Sequence, residues 1–161
     1  MIDTSEFRRV IGHFATGVTV VTTLRDDGGP CGLTASAVAS LSLEPTMLLV
    51  CVEKGSDTHD CIQTSGRFVV NVLGEAKGET LARRFADTDA DGAKKFTGVA
   101  YRAERTGAPV LDDALAWMDC TLASRVEGGD HTVFMGEVMA ADSGEGTPLL
   151  YYRGGYARLV P

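Results

Sequence analysis

Residues 116–141 read AWMDCTLASRVEGGDHTVFMGEVMAA, a sequence with two strand-like runs on either side of a glycine-rich turn. Its first part, 116–126, is predicted to form one long strand. Gly128-Gly129-Asp130 is a tight turn, and a second strand follows over 132–141, where apolar and polar residues alternate less regularly. Two long strands on either side of a short turn indicate an antiparallel β architecture.

Strand-like runs recur on both sides of this stretch. Each is bounded by turn residues, and the runs are 18–24, 31–43 with a bend, 47–52, 67–73, 148–152 and 156–160. The run 47–52 is apolar throughout, which predicts a strand whose two faces are both covered.

Three segments have the pattern of short helices. The first begins at a cap formed by Asp3 or Thr4, and we expect Gly17 to end it. Its apolar side chains fall at helical spacing and form one stripe, which consists of Phe7, Val10, Ile11 and Phe14. The second helix follows the cap residues 55–58, and the third spans 79–86.

Six or more strands with a few short helices predict a mainly β fold, an antiparallel barrel. The polar segment 87–95 is predicted to be a loop. A length of 161 residues suits one domain, so we predict a single domain over residues 1–161. Hydrophobic residues make up 44% of the chain and charged residues 23%, which is typical of a globular protein with its own core.

The charge balance argues against a nucleic-acid partner. The chain has 22 acidic residues against 15 basic residues, a net charge of -7. A nucleic-acid-binding protein needs a basic face that displaces counterions, and the sequence shows none. An anionic ligand would therefore have to be held by local donors.

The sequence also gives an expectation about location. Residues 1–6 have neither the basic nor the apolar region of a signal peptide, and the longest apolar run is too short to span a bilayer. We therefore expect a cytoplasmic protein that does not enter a membrane. The four cysteines lack a Cys-x-x-Cys pair, which favours free thiols over a metal site; they are Cys31, Cys51, Cys61 and Cys120.

Two stretches are rich in small or hydroxyl residues. In the first, 32–37, small side chains let a flat ligand or a phosphate approach the backbone, with Thr34 and Ser36 as donors. In the second, 56–58, free amides at a helix start favour anions. The structural alternatives are a polar edge strand for the first stretch and a plain helix cap for the second.

Two further stretches are charged. The bases at 83–84 and 94–95 are able to neutralise a phosphate, or they form a solvated helix face. In 128–132, His131 stands beside Asp130 at a strand start, where it can be oriented toward an anionic or nucleotide ligand. The alternative there is a β-turn with a surface histidine.

Several common enzyme motifs are missing from the sequence. It contains no Gly-x-Ser-x-Gly elbow, which argues against a serine hydrolase. It contains neither a Gly-x-Gly-x-x-Gly run after a strand nor a Walker A loop, which excludes the Rossmann and P-loop interpretations.

Taken together and in this order, the stretches resemble the flavin reductase-like, FMN-binding split-barrel family. Its members are the reductase components of two-component flavin monooxygenases. The matching segments run nearly end to end: FATGVTVVT (14–22), GLTASA (32–37), Pro45, SGRFVVNVL (65–73), Phe85-Ala86, Lys95-Phe96, PVL (109–111), GDHT (129–132), GEV (136–138) and PLLYY (148–152). The resemblance implies an antiparallel split barrel of Greek-key type.

The resemblance also implies a flavin site. The residues expected along the isoalloxazine and ribityl chain are Thr34, Ala35, Ser36 and Ala37. The family often has a serine where this chain has Ala37, so one hydrogen bond is missing there. Cys51 and Val52 are expected near the ring.

Further residues follow from the same resemblance. The phosphate end is expected to be held by Ser56, Thr58 and Arg84, and the pocket walls to be formed by Phe85, Ala86 and Phe96. His131 is expected at the nicotinamide nucleotide, and Tyr156 is expected to close the site.

The implied function is hydride transfer from NADH or NADPH to FMN or FAD. The two cofactors supply the chemistry and the protein aligns them, so no side chain is required as a catalytic acid or base. The resemblance implies a homodimer with its flavin sites near the subunit interface. Reduced flavin would then pass to a partner monooxygenase.

Other functions remain open at this stage. One is a flavoenzyme that holds FMN tightly and reduces another acceptor, and another is a flavin carrier or sensor. A structural barrel without a ligand is the third. The sequence decides neither between FMN and FAD, nor between NADH and NADPH, nor which monooxygenase is the partner.

Overall fold

The computed structural model describes residues 1–160, which form four helices and twelve strands. The helices are α1 Thr4–Ile11, α2 Asp57–Ser65, α3 Gly78–Ala86 and α4 Gly92–Lys95. The strands are β1 Thr16–Gly17, β2 Thr19–Leu24, β3 Pro30–Ala35, β4 Val38–Leu43, β5 Thr46–Glu53, β6 Arg67–Leu73, β7 Tyr101–Ala103, β8 Pro109–Leu111, β9 Ala114–Gly128, β10 His131–Ser143, β11 Leu150–Tyr152 and β12 Gly155–Ala157. Among these residues no helix exceeds nine residues, too few to cross a bilayer.

Seven strands form one antiparallel sheet in the order β3-β2-β6-β9-β10-β5-β4. Its edge strands, β3 and β4, are joined by a bend at Ser36 and Ala37, where the Cys51 N–H donates to the Ala37 carbonyl at 3.0 Å. The sheet therefore curls until its edges meet at this bend. Helix α2 then leads the chain back to place β6 beside β2, a Greek-key connection. The predicted mainly β, antiparallel barrel is confirmed.

Two apolar clusters stabilise this arrangement. The first fills the barrel, where the rings of Phe68 and Phe134 are fully buried. The second lies under α3, whose Leu81, Ala82 and Phe85 share one buried face. Burial of each ring contributes about 2–3 kcal/mol. Because α3 packs on β3, the second cluster fixes the strand that carries the small-residue stretch.

Several predicted element bounds were wrong. The first helix ends at Ile11, because the Gly12 carbonyl accepts from the Arg153 N–H at 2.9 Å and the chain turns away. Gly17 instead pairs with Leu150. The predicted loop 87–95 ends in helix α4, and the last predicted strand is shorter, ending at Ala157. Strands β7 and β8 were not predicted from the sequence.

The expectation that both faces of 47–52 are covered was also wrong within the chain. Leu48, Val50 and Val52 are buried inside the barrel, whereas Leu49 and Cys51 are only half-buried. The second set faces a groove on the outside of the barrel.

Replacing Gly136 by alanine is expected to lower the free energy of unfolding by about 1–3 kcal/mol, the usual cost of overpacking a core. A Cβ at this position would lie 2.5 Å from Phe68 Cζ and 2.8 Å from Cys120 Cβ. Urea titration at fixed protein concentration measures the change. The matched control is Gly144→Ala, where the nearest atom is the Leu115 carbonyl oxygen at 3.7 Å. Equal stability of the two variants would contradict the packing argument.

Candidate functional site

A cleft of about 460 Å³ opens where the barrel edges meet. Such a volume lies in the range of small-molecule sites. Its lining includes eleven of the residues predicted from the sequence: Thr34, Ala35, Ser36, Ala37, Cys51, Val52, Ser56, Thr58, Phe85, Ala86 and His131. These residues come from β3, the bend, β5, α2, α3 and β10, so the fold brings together segments that are far apart in the chain.

The β3 wall of the cleft consists of small side chains. Ala35 is buried toward the barrel core, while Ser36 and Ala37 are exposed at the bend. Thr34 differs from the expectation that it donates to a ligand, because its Oγ1 donates to the Ala82 carbonyl at 2.7 Å and ties β3 to α3. The hydroxyl that remains accessible on this wall is therefore that of Ser36.

The end of β5 forms the adjoining wall. Val52 is buried in the barrel core and also lines the cleft, whereas the half-buried Cys51 lines both the cleft and the outer groove. Burial raises the pKa of the Cys51 thiol, which therefore stays neutral near pH 7. All four cysteines are free thiols.

The start of α2 faces the cleft through its backbone. Ser56 is a helix cap: its Oγ donates to the Glu53 carbonyl at 2.8 Å and accepts from the His59 N–H at 3.3 Å. The N–H groups of Asp57 and Thr58 have no intrahelical partner, because they open the helix. Donors for an anion at this end are thus mainly backbone amides, with the positive end of the helix dipole behind them.

A buried histidine holds α2 against the strand that carries His131. His59 Nε2 lies 2.9 Å from Thr132 Oγ1, and His59 Nδ1 lies 2.9 Å from Asp60 Oδ1. The imidazole also packs on Phe134 with a centroid distance of 5.3 Å. The helix start and the beginning of β10 are therefore fixed relative to each other.

The opposite wall comes from α3 and α4. Phe85 and Ala86 line it, and Lys95 does as well, with its Nζ 3.3 Å from the Phe85 carbonyl oxygen. Arg84 lies outside the cleft, since it projects from the exposed face of α3 and donates to the Thr97 carbonyl. Lys95 stands on this wall as a cation instead, and the sequence marked it through the basic segment 94–95 and the Lys95-Phe96 match.

Two other predicted residues lie outside the cleft. Phe96 is buried behind the wall, where its ring meets Phe85 edge-on at a centroid distance of 4.9 Å. Tyr156 packs on the cluster under α3, and the Arg83 guanidinium lies 5.0 Å from the centre of its ring. Within the chain, Phe96 supports the wall and Tyr156 closes no part of the cleft.

His131 stands at the cleft mouth, where its side chain is 43% exposed. Its Nδ1 lies 2.7 Å from Asp130 Oδ1, and this hydrogen bond lowers the pKa of the Asp130 carboxyl. An ionised carboxylate that accepts from Nδ1–H leaves Nε2 to meet a ligand. The arrangement is the one expected from the Gly-Asp-His segment.

The two ends of the cleft differ in their chemistry. One end has a flat wall of small side chains, and the other has free amides and the Lys95 ammonium. A flat heterocycle that carries a phosphate matches both ends. No strong acid–base pair is needed for a reaction in which the ligand is itself the electron acceptor.

Comparisons with known proteins agree with this geometry. Residues 11–160 match the family model described as "Flavin reductase like domain". The chain is 45% identical, over 99% of its length and 83% of the relative's, to the reductase component of a 4-nitrophenol 4-monooxygenase/4-nitrocatechol 2-monooxygenase from Rhodococcus opacus.

Solved structures extend the likeness to three dimensions. A homologue of nitrilotriacetate monooxygenase component B from Mycobacterium thermoresistibile superposes with a TM-score of 0.91 at 40% identity, covering 99% of this chain and 88% of that one. An NADH:FAD oxidoreductase from Streptomyces globisporus, solved with NAD and FAD fragments, gives a TM-score of 0.88 at 38% identity, covering 99% and 94%.

The activity expected from the resemblance, reduction of a flavin by a nicotinamide nucleotide, is the activity that the Streptomyces protein's name states. The family match spans all segments that line the cleft. The predicted family is thereby confirmed, and the chain belongs to the flavin reductase-like family.

Proposed function

We propose that this chain transfers hydride from NADH to FMN or FAD and releases the reduced flavin to a partner monooxygenase. The observation that carries the proposal is the single cleft that combines the small-residue wall, the open start of α2 and His131 at its mouth. When bound, the flavin would supply the hydride acceptor and the nicotinamide nucleotide would supply the hydride.

The chain's own residues align the two rings. The Ser36–Ala37 bend leaves room for the isoalloxazine, and the Ser36 hydroxyl is free to donate to it. The amides of Asp57 and Thr58 hold the phosphate end. Alignment of this kind is able to supply about 7 kcal/mol of the barrier reduction, so no catalytic side chain is required.

The charges around His131 favour NADH over NADPH. Glu53 lies opposite His131 in the register of β5 and β10 and lines the cleft, and Asp130 directly precedes His131 in the sequence. The neighbouring cation, Lys54, is paired with Glu127. In this proposal the adenosine ribose of the nucleotide lies beside Glu53, where a carboxylate suits its free 2′-hydroxyl, whereas the 2′-phosphate of NADPH is usually met by an arginine.

A homodimer accounts for an apolar surface that the single chain leaves open. Helix α1 has eight residues and none of them is buried, yet Phe7, Val10 and Ile11 are apolar and at least half exposed. An isolated helix of this length is unstable in water. Beside it lies a groove of about 880 Å³. Ser36 and Cys51 line both this groove and the cleft. A second copy on this face would cover the helix and adjoin the flavin.

The partner monooxygenase follows from the relatives. The Rhodococcus relative is named as the reductase component of a monooxygenase, and this chain aligns with it over nearly its whole length. Reduced flavin released from an open cleft is the product such a partner would need. Free thiols at four positions fit the cytoplasmic location that we retain as a prediction.

The direct test mixes the purified chain with each pairing of NADH or NADPH with FMN or FAD and follows the loss of nicotinamide absorbance. We expect turnover with NADH and slower turnover with NADPH. Ultrafiltration after turnover should recover the flavin in the filtrate if it diffuses freely. Absence of turnover in all four mixtures would contradict the proposal. Retention of the flavin by the protein would favour the alternative of a tightly held cofactor.

Replacing His131 by alanine is expected to raise KM for NADH about fivefold, the loss of roughly one hydrogen bond. KM for flavin and kcat should change little, because the residue stands at the cleft mouth and not at the flavin wall. Steady-state kinetics with each substrate varied in turn separates the two effects. His131→Asn keeps a polar group and should recover part of the affinity. An unchanged KM for NADH in both variants would remove His131 from the nucleotide site.

A further inference from the structure

An arginine that the sequence did not single out lies beside the phosphate end of the cleft. Arg25 starts the turn between β2 and β3, and its N–H and carbonyl are fixed by bonds to Gly29 and Gly28. Its Nη2 lies 3.3 Å from Asp91 Oδ1 and 3.9 Å from Asp57 Oδ2. One guanidinium thus stands between carboxylates from the starts of two helices, α4 and α2.

The packing around Arg25 places it against the cleft wall. A Cβ on Gly92 would clash with Arg25 Nη2, so the guanidinium occupies space that a larger residue would fill. Both Gly92 and Asp57 line the cleft. Arg25 Nε is buried and has no hydrogen-bond partner among residues 1–160, which leaves one donor of the guanidinium uncommitted.

The charges at this end explain why a cation is needed. Asp57 lies in the first turn of α2, next to the amides that we assign to the flavin phosphate. A carboxylate there repels a phosphate over a few ångströms unless a cation screens it. Lys95, the other cation at this end, stands on the wall formed by α3 and α4, where its Nζ contacts the Phe85 carbonyl oxygen.

We propose that Arg25 sets the affinity of the cleft for the flavin phosphate by offsetting part of the negative charge of Asp57 and Asp91. Arg25 is a positioning residue in this role, since it acts through the carboxylates beside the ligand. The inference rests on the proposed function. It distinguishes phosphorylated flavins from riboflavin, which has the same ring system and no phosphate.

The test measures dissociation constants of riboflavin and FMN for the purified chain by quenching of flavin fluorescence. Arg25→Gln should weaken FMN binding about tenfold, as expected for loss of a charge near a phosphate dianion. Riboflavin binding should change less than about twofold, because riboflavin has no phosphate and Arg25 is remote from the wall that faces the ring. Arg25→Lys, which keeps the charge, should retain most of the FMN affinity.

A second variant tests the same electrostatics from the other side. Asp57→Asn removes the repelling charge and should tighten FMN binding about threefold while leaving riboflavin unchanged. Arg102→Gln is the matched control, since Arg102 is likewise shared by two carboxylates, Glu104 and Asp112, but lies outside the cleft. We expect no change in either dissociation constant for that control.

The outcomes separate this inference from the proposed function. A wild-type chain that binds neither riboflavin nor FMN would contradict the function itself. A second outcome would overturn the role of Arg25 and leave the function standing. In it, the wild-type chain binds riboflavin and FMN, Arg25→Gln weakens the binding of both flavins equally or of neither, and Asp57→Asn has no effect on FMN binding.

Discussion

Replacing Ser36 by tyrosine is expected to weaken FMN binding about a hundredfold and to abolish flavin reduction at micromolar flavin. Ser36 lies at the bend where the barrel edges meet, and its side chain is exposed. A phenol ring there would occupy the space that the small-residue wall leaves for the isoalloxazine. The chain should still fold, because Ser36 is exposed and its side chain does not enter the core.

Two companion variants make this result interpretable. Ser36→Ala removes only the hydroxyl and should weaken FMN binding about fivefold. Ser124→Tyr adds the same ring at an exposed serine on β9 that lines neither cleft nor groove, and it should bind FMN like the wild type. Fluorescence titration gives the affinities, and thermal unfolding checks the fold. Native affinity in Ser36→Tyr would place the flavin somewhere else.

The elements predicted well from the sequence are those whose ends are set by local contacts. Helix α2 begins after the Ser56 cap and ends before Gly66, whose φ of 66° suits a residue without a side chain. Strand β6 was predicted with its observed bounds because turn residues flank a β-branched run. The first helix failed because its end depends on Arg153, which is distant in the sequence.

The residues of the candidate site also differ in how far local sequence predicts them. The small-residue wall and the Asp130–His131 pair were predicted because their meaning is contained in a few neighbouring residues. Which base faces the cleft depends on helix phase: Phe85 turns inward, and Arg84, one residue earlier, turns to solvent. Lys95 was marked by the basic segment 94–95, whereas the proposed role of Arg25 depends on contacts with two other helices, which no local pattern reveals.

Replacing Phe14 by aspartate is expected to raise the dissociation constant of the proposed homodimer at least about a hundredfold, since an unpaired charge in an interface costs about 3–5 kcal/mol. Phe14 is 72% exposed in the single chain and lines the outer groove together with Ile11 and Leu49. Because the residue is exposed in the monomer, the variant chain should still fold.

Sedimentation across micromolar concentrations should show a dimer for the wild type and a monomer for Phe14→Asp. When the dimer is lost, flavin affinity should fall as well. Ser36, Ala37 and Cys51 line both the groove and the cleft, so they lose the support of the second copy. Val126→Asp, an exposed apolar position on β9 that lines neither surface, is the control and should stay dimeric. A monomeric wild type, or a Phe14→Asp variant as dimeric as the wild type, would mean that something other than a second copy covers helix α1.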